Sequence, residues 1–185
     1  MSDFSHQSKA DVRAHLRATR RSNAEADAGV RDTLVALASD LGTVAAYAPL
    51  PGEPGGPRLP DALAAVCARL LLPVLRADQD LDWAPYPAGP LVPARYGLRE
   101  PSGPRLGPEA IATADLVVVP ALAVDLTGIR LGRGGGSYDR ALTRVTSSTL
   151  IVAALYDDEL VTALPADPHD VRVHAIATPA GLRRL

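Results

Sequence analysis

Short apolar runs, set apart by segments of helical length, constrain this chain more than any other feature. The runs at residues 43–47, 70–75, 116–119, 150–155 and 173–177 read as strands, and 116–119 is apolar at every position. A strand apolar on both faces belongs to a sheet covered on both sides. Helical patterns fill the intervals, at residues 9–21, 24–40, 59–69 and 137–145. Val30, Leu34, Leu37 and Leu41 recur at spacings of three and four, the period of one helix face, and Gly42 follows as a stop. Strands alternating with helices predict an α/β fold with a mostly parallel sheet.

The chain has 185 residues, and a single domain over 1–185 is expected. Between residues 85 and 108, seven of 24 residues are Pro and four are Gly, which predicts a functional loop or lid there. The 19 basic and 21 acidic side chains leave a net charge of −2, which argues against general nucleic-acid binding. No apolar run approaches the roughly 20 residues of a membrane span. The first residues lack the apolar core of a signal peptide. Cys67 has no second cysteine to pair with, so a reduced, cytoplasmic protein is expected.

The segment with most chemical content is Gly128-Ile-Arg-Leu-Gly-Arg-Gly-Gly-Gly136, in which five of nine residues are Gly. Glycines let a loop turn its N–H groups inward, and the helix expected next adds a positive dipole end, so the segment reads as a phosphate cradle. Arg130 and Arg133 would add forked cationic donors. No Lys-Ser/Thr follows, so it is not a Walker A loop, and Asp139 stands where a nucleophile elbow needs Gly. A tight strand-to-helix turn is the plainer alternative. Lys9, Arg13 and Arg17 form a stripe at i, i+4 and i+8. Lys9 is the one Lys among 19 basic residues, and it sits in a first helical turn, where the dipole disfavours a cation. A bound anion would remove that conflict; a solvated basic face is the alternative. Glu53 follows a strand, where α/β proteins place ligand contacts, although an exposed loop acid would read the same. Asp139 and Asp170 are candidate Mg²⁺ ligands, since Mg²⁺ takes one or two carboxylates plus phosphates. Asp139 would equally suit the first turn of its helix. The four histidines lack zinc-ligand spacing.

These motifs together resemble the 5-formyltetrahydrofolate cyclo-ligase family, also called methenyltetrahydrofolate synthetase. The resemblance rests on Ala114 to Asp125 followed by Arg130 to Arg140. Lys9-Ala-Asp-Val-Arg13, Tyr47 to Glu53, Tyr96 to Pro101 and Leu164 to Asp170 agree in order. It implies a three-layer α/β/α sandwich and an ATP- and Mg²⁺-dependent ligase that converts 5-formyltetrahydrofolate to 5,10-methenyltetrahydrofolate in one-carbon metabolism. It further implies that Lys9, Ala10, Asp11, Val12 and Arg13 bind ATP, together with Arg130, Leu131, Gly132, Arg133, Gly134, Gly135, Gly136, Ser137 and Tyr138. Ala48, Glu53 and residues 133–137 would contact the folate. Arg133, Arg130 and Tyr138 would serve phosphoryl transfer, and Asp139 and Asp170 would hold Mg²⁺. A monomer or weak dimer is expected, with no nucleic-acid or membrane partner. The sequence departs from the family at Ser137, where an aromatic is usual, and at Pro54-Gly-Gly-Pro57. Two alternatives are a nucleotide-binding regulator without turnover, and a phosphate-binding isomerase or transferase on a similar scaffold.

Overall fold

The computed structural model describes residues 1–87 and 90–185. In chain order the elements are α1 (Lys9–Thr19), α2 (Ala24–Ala38), β1 (Thr43–Ala45), α3 (Leu59–Ala64), β2 (Arg69–Leu75), β3 (Leu81–Tyr86), β4 (Leu91–Pro93), β5 (Arg99–Pro101), β6 (Leu116–Pro120), β7 (Ala123–Asp125), β8 (Arg130–Leu131), α4 (Ser137–Leu142), β9 (Leu150–Ala154), β10 (Leu160–Val161), β11 (Ala175–Thr178) and β12 (Gly181–Arg184). Short 3-10 turns occupy Arg95–Gly97 and Pro108–Thr113. No helix among the described residues is long and apolar enough to cross a membrane.

The main sheet runs β12-β11-β9-β6-β1-β2-β3. Its five inner strands are parallel, and β12 and β3 close the edges antiparallel. Alternation along each strand divides the core in two. Leu116 and Val118 of β6 face one apolar cluster with Val30, Leu34 and Ala38 of α2 and Leu59 and Leu63 of α3. Val117 and Val119 face the other, with Ile111, Ala141 and Leu142. The three-layer sandwich expected from the motifs is therefore present, and one outer layer is thin, made of α4 and the Pro108–Thr113 turn. A second sheet, β10-β7-β8, packs Ile129, Leu131 and Val161 against Val12 of α1 and Phe4.

Local chemistry explains most element ends. Ser8 and Asn23 cap α1 and α2 by accepting the N–H groups of Asp11 and Ala26. The second helix stops at Ala38 rather than Asp40, because Asp40 itself takes the left-handed turn (φ 65) that Gly42 was expected to supply. α3 is shorter than residues 59–69, since Arg69 already pairs with Thr43 in the sheet. β3 is not among the strands read from the apolar runs, and its end enters the 85–108 segment read as a loop. Its residues Leu81 to Ala84 are buried, and Pro85 is tolerated because β3 is an edge. Residues 91–101 of that Pro/Gly segment form the β4–β5 hairpin, and residues 88 and 89 lie outside the described residues.

Gly128 has a structural task instead of a place in the phosphate loop. It turns the chain between β7 and β8 at φ +87, and its carbonyl accepts the Val173 N–H at 2.9 Å. A Cβ there would lie 2.5 Å from the Val173 carbonyl oxygen. Gly128→Ala is expected to cost about 2–3 kcal/mol from backbone strain and the clash, read as a lower urea midpoint. An unchanged midpoint would remove this role.

Candidate functional site

The sheet order reverses at β1, with β2 on one side and β6 on the other. In open α/β sheets the crevice beyond the strand C-termini at such a reversal is the ligand site. Here it holds a cavity of about 690 Å³. Tyr47, Ala48 and Glu53 enter it from the end of β1, and Pro120, Ala121 and Leu122 from the end of β6. β1 stops at the Ala45–Leu71 pair, so Pro73 and Leu75 of β2 run on without it and form part of the wall.

The glycine loop, residues 132–136, crosses this cavity between β8 and α4. The small sheet carries it, and α1 leans on that same sheet through Val12. This places the basic stripe of α1 directly beside the loop. Arg13 Nε donates to the Gly132 carbonyl at 2.9 Å, and Arg17 Nη2 to the Arg133 carbonyl at 3.1 Å. Ala10, Asp11 and Val12 are not among the cavity-lining residues described. Asp11 bonds back to Ser8, and Val12 is fully buried in the small core.

Two arginine–carboxylate pairs set the charges around the loop. Arg133 is half-exposed, and its Nε donates to Glu53 Oε1 at 2.9 Å. Glu53 is buried, not an exposed loop acid. It is 6% exposed, and its other oxygen accepts the Leu50 N–H at 2.8 Å. Arg130 is buried beneath the loop and donates to Asp139 Oδ1 at 2.8 Å. Gly132 leaves the Arg130 guanidinium room above it, since a Cβ there would lie 2.7 Å from Nη1 and the guanidinium would have to shift. The Arg130 guanidinium also lies 5.8 Å from the centre of the Tyr138 ring. Burial, with the Glu53 carboxylate adding to it, pushes the Tyr138 phenol well up, so it stays a neutral donor.

Lys9 resolves its conflict with the helix dipole without a ligand. Its Nζ lies 2.6 Å from Asp170 and 2.7 Å from Asp167. Burial disfavours its charge, but the two carboxylates outweigh that and raise its pKa. The Lys9 hydrogen bond in turn holds the Asp167 carboxyl below its usual range. Asp139 and Asp170 both line the cavity, and each keeps one carboxylate oxygen without a hydrogen bond among the described residues.

Sequence reasoning missed Arg20, Gln79 and Tyr47. Arg20 lies three residues past Arg17, so the α1 stripe was the available signal. It makes a forked pair with the buried Glu159 and lines the cavity. Tyr47 is buried and donates to the Pro54 carbonyl at 2.7 Å, which holds the 49–57 turn. Gln79 has no local signal, because its nearness to the loop depends on the sheet order.

The profile of the 5-formyltetrahydrofolate cyclo-ligase family matches residues 5–179. The chain is 44% identical over 187 residues to the 5-formyltetrahydrofolate cyclo-ligase of Mycolicibacterium smegmatis, covering 95% of this chain and 96% of that one. It is 32% identical over 142 residues to that of Escherichia coli K12, covering 75% and 78%. The 5,10-methenyltetrahydrofolate synthetase of Aquifex aeolicus superposes with a TM-score of 0.76 at 30% identity, over 96% of this chain and 92% of that one.

Lys9→Met is expected to lower stability by about 1–3 kcal/mol, chiefly because Asp170 loses its cation in a site only 6% exposed. Lys9→Met with Asp170→Asn should recover most of the loss, because the carboxylate still without its cation, Asp167, is half-exposed and stays solvated. Urea unfolding of both variants checks this. Because Asp167 is shifted down, the wild-type contribution of that pair should be full above the usual Asp range and fade as pH falls through the lowered value.

Proposed function

The chain belongs to the 5-formyltetrahydrofolate cyclo-ligase family, and on that premise we propose that it cyclises 5-formyltetrahydrofolate to 5,10-methenyltetrahydrofolate with ATP as co-substrate. In this reaction the γ-phosphoryl group passes from ATP to the formyl oxygen with ADP as leaving group, N10 then attacks the activated carbon and gives up its proton, and phosphate departs to leave the methenyl bridge. The observation that carries the reading is the Arg133–Glu53 contact. It joins the loop assigned to ATP with the acid assigned to the folate inside one cavity, so donor and acceptor lie side by side.

Phosphoryl transfer asks the protein for positioning and charge neutralisation more than covalent chemistry. Residues 132–138 would cradle the triphosphate, with Lys9 and Arg13 at their flank. Glu53 would accept pterin N–H groups beside Ala48. Arg133 keeps its terminal nitrogens for the transferring group, since only its Nε is bonded to Glu53. Arg130, buried and paired, acts from beneath the loop as a fixed positive charge, and Tyr138 donates a neutral hydrogen bond. The β4–β5 hairpin serves as a lid at the cavity rim, where Tyr96 and Leu98 stand. The chain works as one domain, because both helical layers share the main sheet.

Mg²⁺ fits this donor set. Asp139 and Asp170 would hold it through their unbonded oxygens, as Mg²⁺ prefers one or two carboxylates together with phosphates. When bound, it would neutralise charge spread over the phosphate oxygens. A cytoplasmic setting suits the unpaired Cys67. Neither the regulator nor the isomerase or transferase alternative draws support from the family membership.

Mixing the protein with Mg-ATP and 5-formyltetrahydrofolate should generate the methenyl chromophore. Nucleotide binding without turnover would overturn the reading. Arg133→Ala is expected to lose roughly 10²–10³-fold in kcat, the scale of removing one donor to transition-state charge. Arg133→Lys should recover only part, because a point charge cannot replace the fork. Steady-state kinetics check both; a near-normal kcat with a raised KM for ATP would make Arg133 a ground-state anchor.

A further inference from the structure

A guanidinium that holds a backbone carbonyl also fixes the peptide plane containing it. In a trans peptide the C=O of one residue and the N–H of the next point in opposite directions. The cis bond among the described residues is Tyr86–Pro87, outside the glycine loop. Three arginines hold three carbonyls of that loop. Arg13 takes Gly132 at 2.9 Å, Arg17 takes Arg133 at 3.1 Å, and Arg140 takes Gly135 at 2.9 Å. The N–H groups of Arg133, Gly134 and Gly136 are thereby turned away from the arginine that holds each preceding carbonyl. None of the three donates a hydrogen bond to the described residues.

The loop's glycines make this arrangement possible. Gly134 and Gly136 sit at φ +107 and +66. A Cβ on Gly134 would lie 3.4 Å from Arg13 Cζ, and one on Gly136 would lie 3.1 Å from Arg140 Nη1. The guanidiniums therefore rest against the backbone itself. Arg140 Nη2 also donates to the Gln79 carbonyl at 2.7 Å, and Arg144 holds the Asp80 carboxylate at 2.6 Å. The loop is braced by α1 on one side and by the 76–80 turn on the other. Successive N–H groups without protein acceptors, in a loop that lines a cavity, form an anion receptor.

We propose that Arg13, Arg17 and Arg140 are positioning residues, which hold the loop carbonyls so that the N–H groups of Arg133, Gly134 and Gly136 receive the phosphates of the nucleotide. The proposal rests on the ATP reading of this cavity. It assigns tasks to Arg17 and Arg140, and it has Arg13 act through the backbone of the loop.

Each arginine controls its own amide, so the test is residue-specific. Arg17 and Arg140 are exposed, and Arg17→Gln and Arg140→Gln should fold normally, as thermal melts will show. In wild type, pyrophosphate should shift the amide resonances of Arg133, Gly134 and Gly136 downfield. Arg17→Gln should diminish the Gly134 shift most, and Arg140→Gln the Gly136 shift. Each should weaken pyrophosphate and ATP binding by roughly tenfold, the scale of one charge-assisted hydrogen bond. Arg140→Lys should restore part of the affinity. Wild-type affinity and shifts in both variants would overturn the proposal, as would an identical disturbance of the whole loop whichever arginine is replaced. A wild-type protein that binds neither pyrophosphate nor ATP would overturn the nucleotide reading and this proposal with it, before any variant is made.

Discussion

Strand β1 pairs in parallel with β2 on one side and β6 on the other, and the chain leaves the ends of β1 and β6 by separate routes. A crevice at that divergence is unavoidable, because two parallel neighbours cannot both continue over the same edge. β1 deepens it by ending after three residues while β2 continues for seven. The remaining features of the site are attachments to this gap. The 49–57 turn brings Glu53 to it, the end of β6 supplies its rim, and the small sheet delivers the glycine loop across its mouth.

The chain loads this gap with charge and joins most of it in ion pairs, while Arg13 and Arg17 hold backbone carbonyls of the loop. Lys9 with Asp167 and Asp170, Arg130 with Asp139, Arg133 with Glu53 and Arg20 with Glu159 all belong to its walls or their immediate support. Each cation would be costly to hold unpaired in a half-closed cavity, and each pair limits the directions its side chains can take. The arginine that carries most of this work is suited to it. A planar fork can serve a carboxylate with one nitrogen and leave others for a ligand, which a lysine ammonium cannot do in a fixed geometry. Asp139, Asp170 and the glycine loop line one cavity, so residues with an unbonded carboxylate oxygen and residues with unbonded N–H groups share its walls.

Packing and charge are linked through Tyr138. Its ring packs against both apolar clusters of the main sheet, and it lies beside the Arg130 guanidinium. The first turn of α4 is therefore anchored in the core while its loop stays in the cavity. Gly128 and Gly132 show the same division within one motif. The first serves the β7–β8 turn, and the second makes room for Arg130.

Periodicity and local chemistry alone determined the α/β class, the parallel strands and the glycine loop, because these depend on neighbours within a few residues. The motif order, read as a resemblance, was enough to gather Lys9, Glu53, Arg133, Asp139 and Asp170 as one set. Tertiary structure decided what each of them touches. Lys9 reads as an unexplained cation until Asp170, 161 positions away, supplies a carboxylate partner. Glu53 reads as an exposed acid until the fold buries it against Arg133. β3 was illegible because Asp82, Pro85 and a Pro-rich continuation look like loop, and only an edge position beside β2 makes such a strand stable. Gln79 and Arg140 had no legible function for the same reason, and the α1 stripe pointed to Arg20 without showing its partner, Glu159. Hydrogen bonds to backbone carbonyls carry no sequence pattern at the acceptor, so the partner of a surface arginine is settled only when distant segments are packed together.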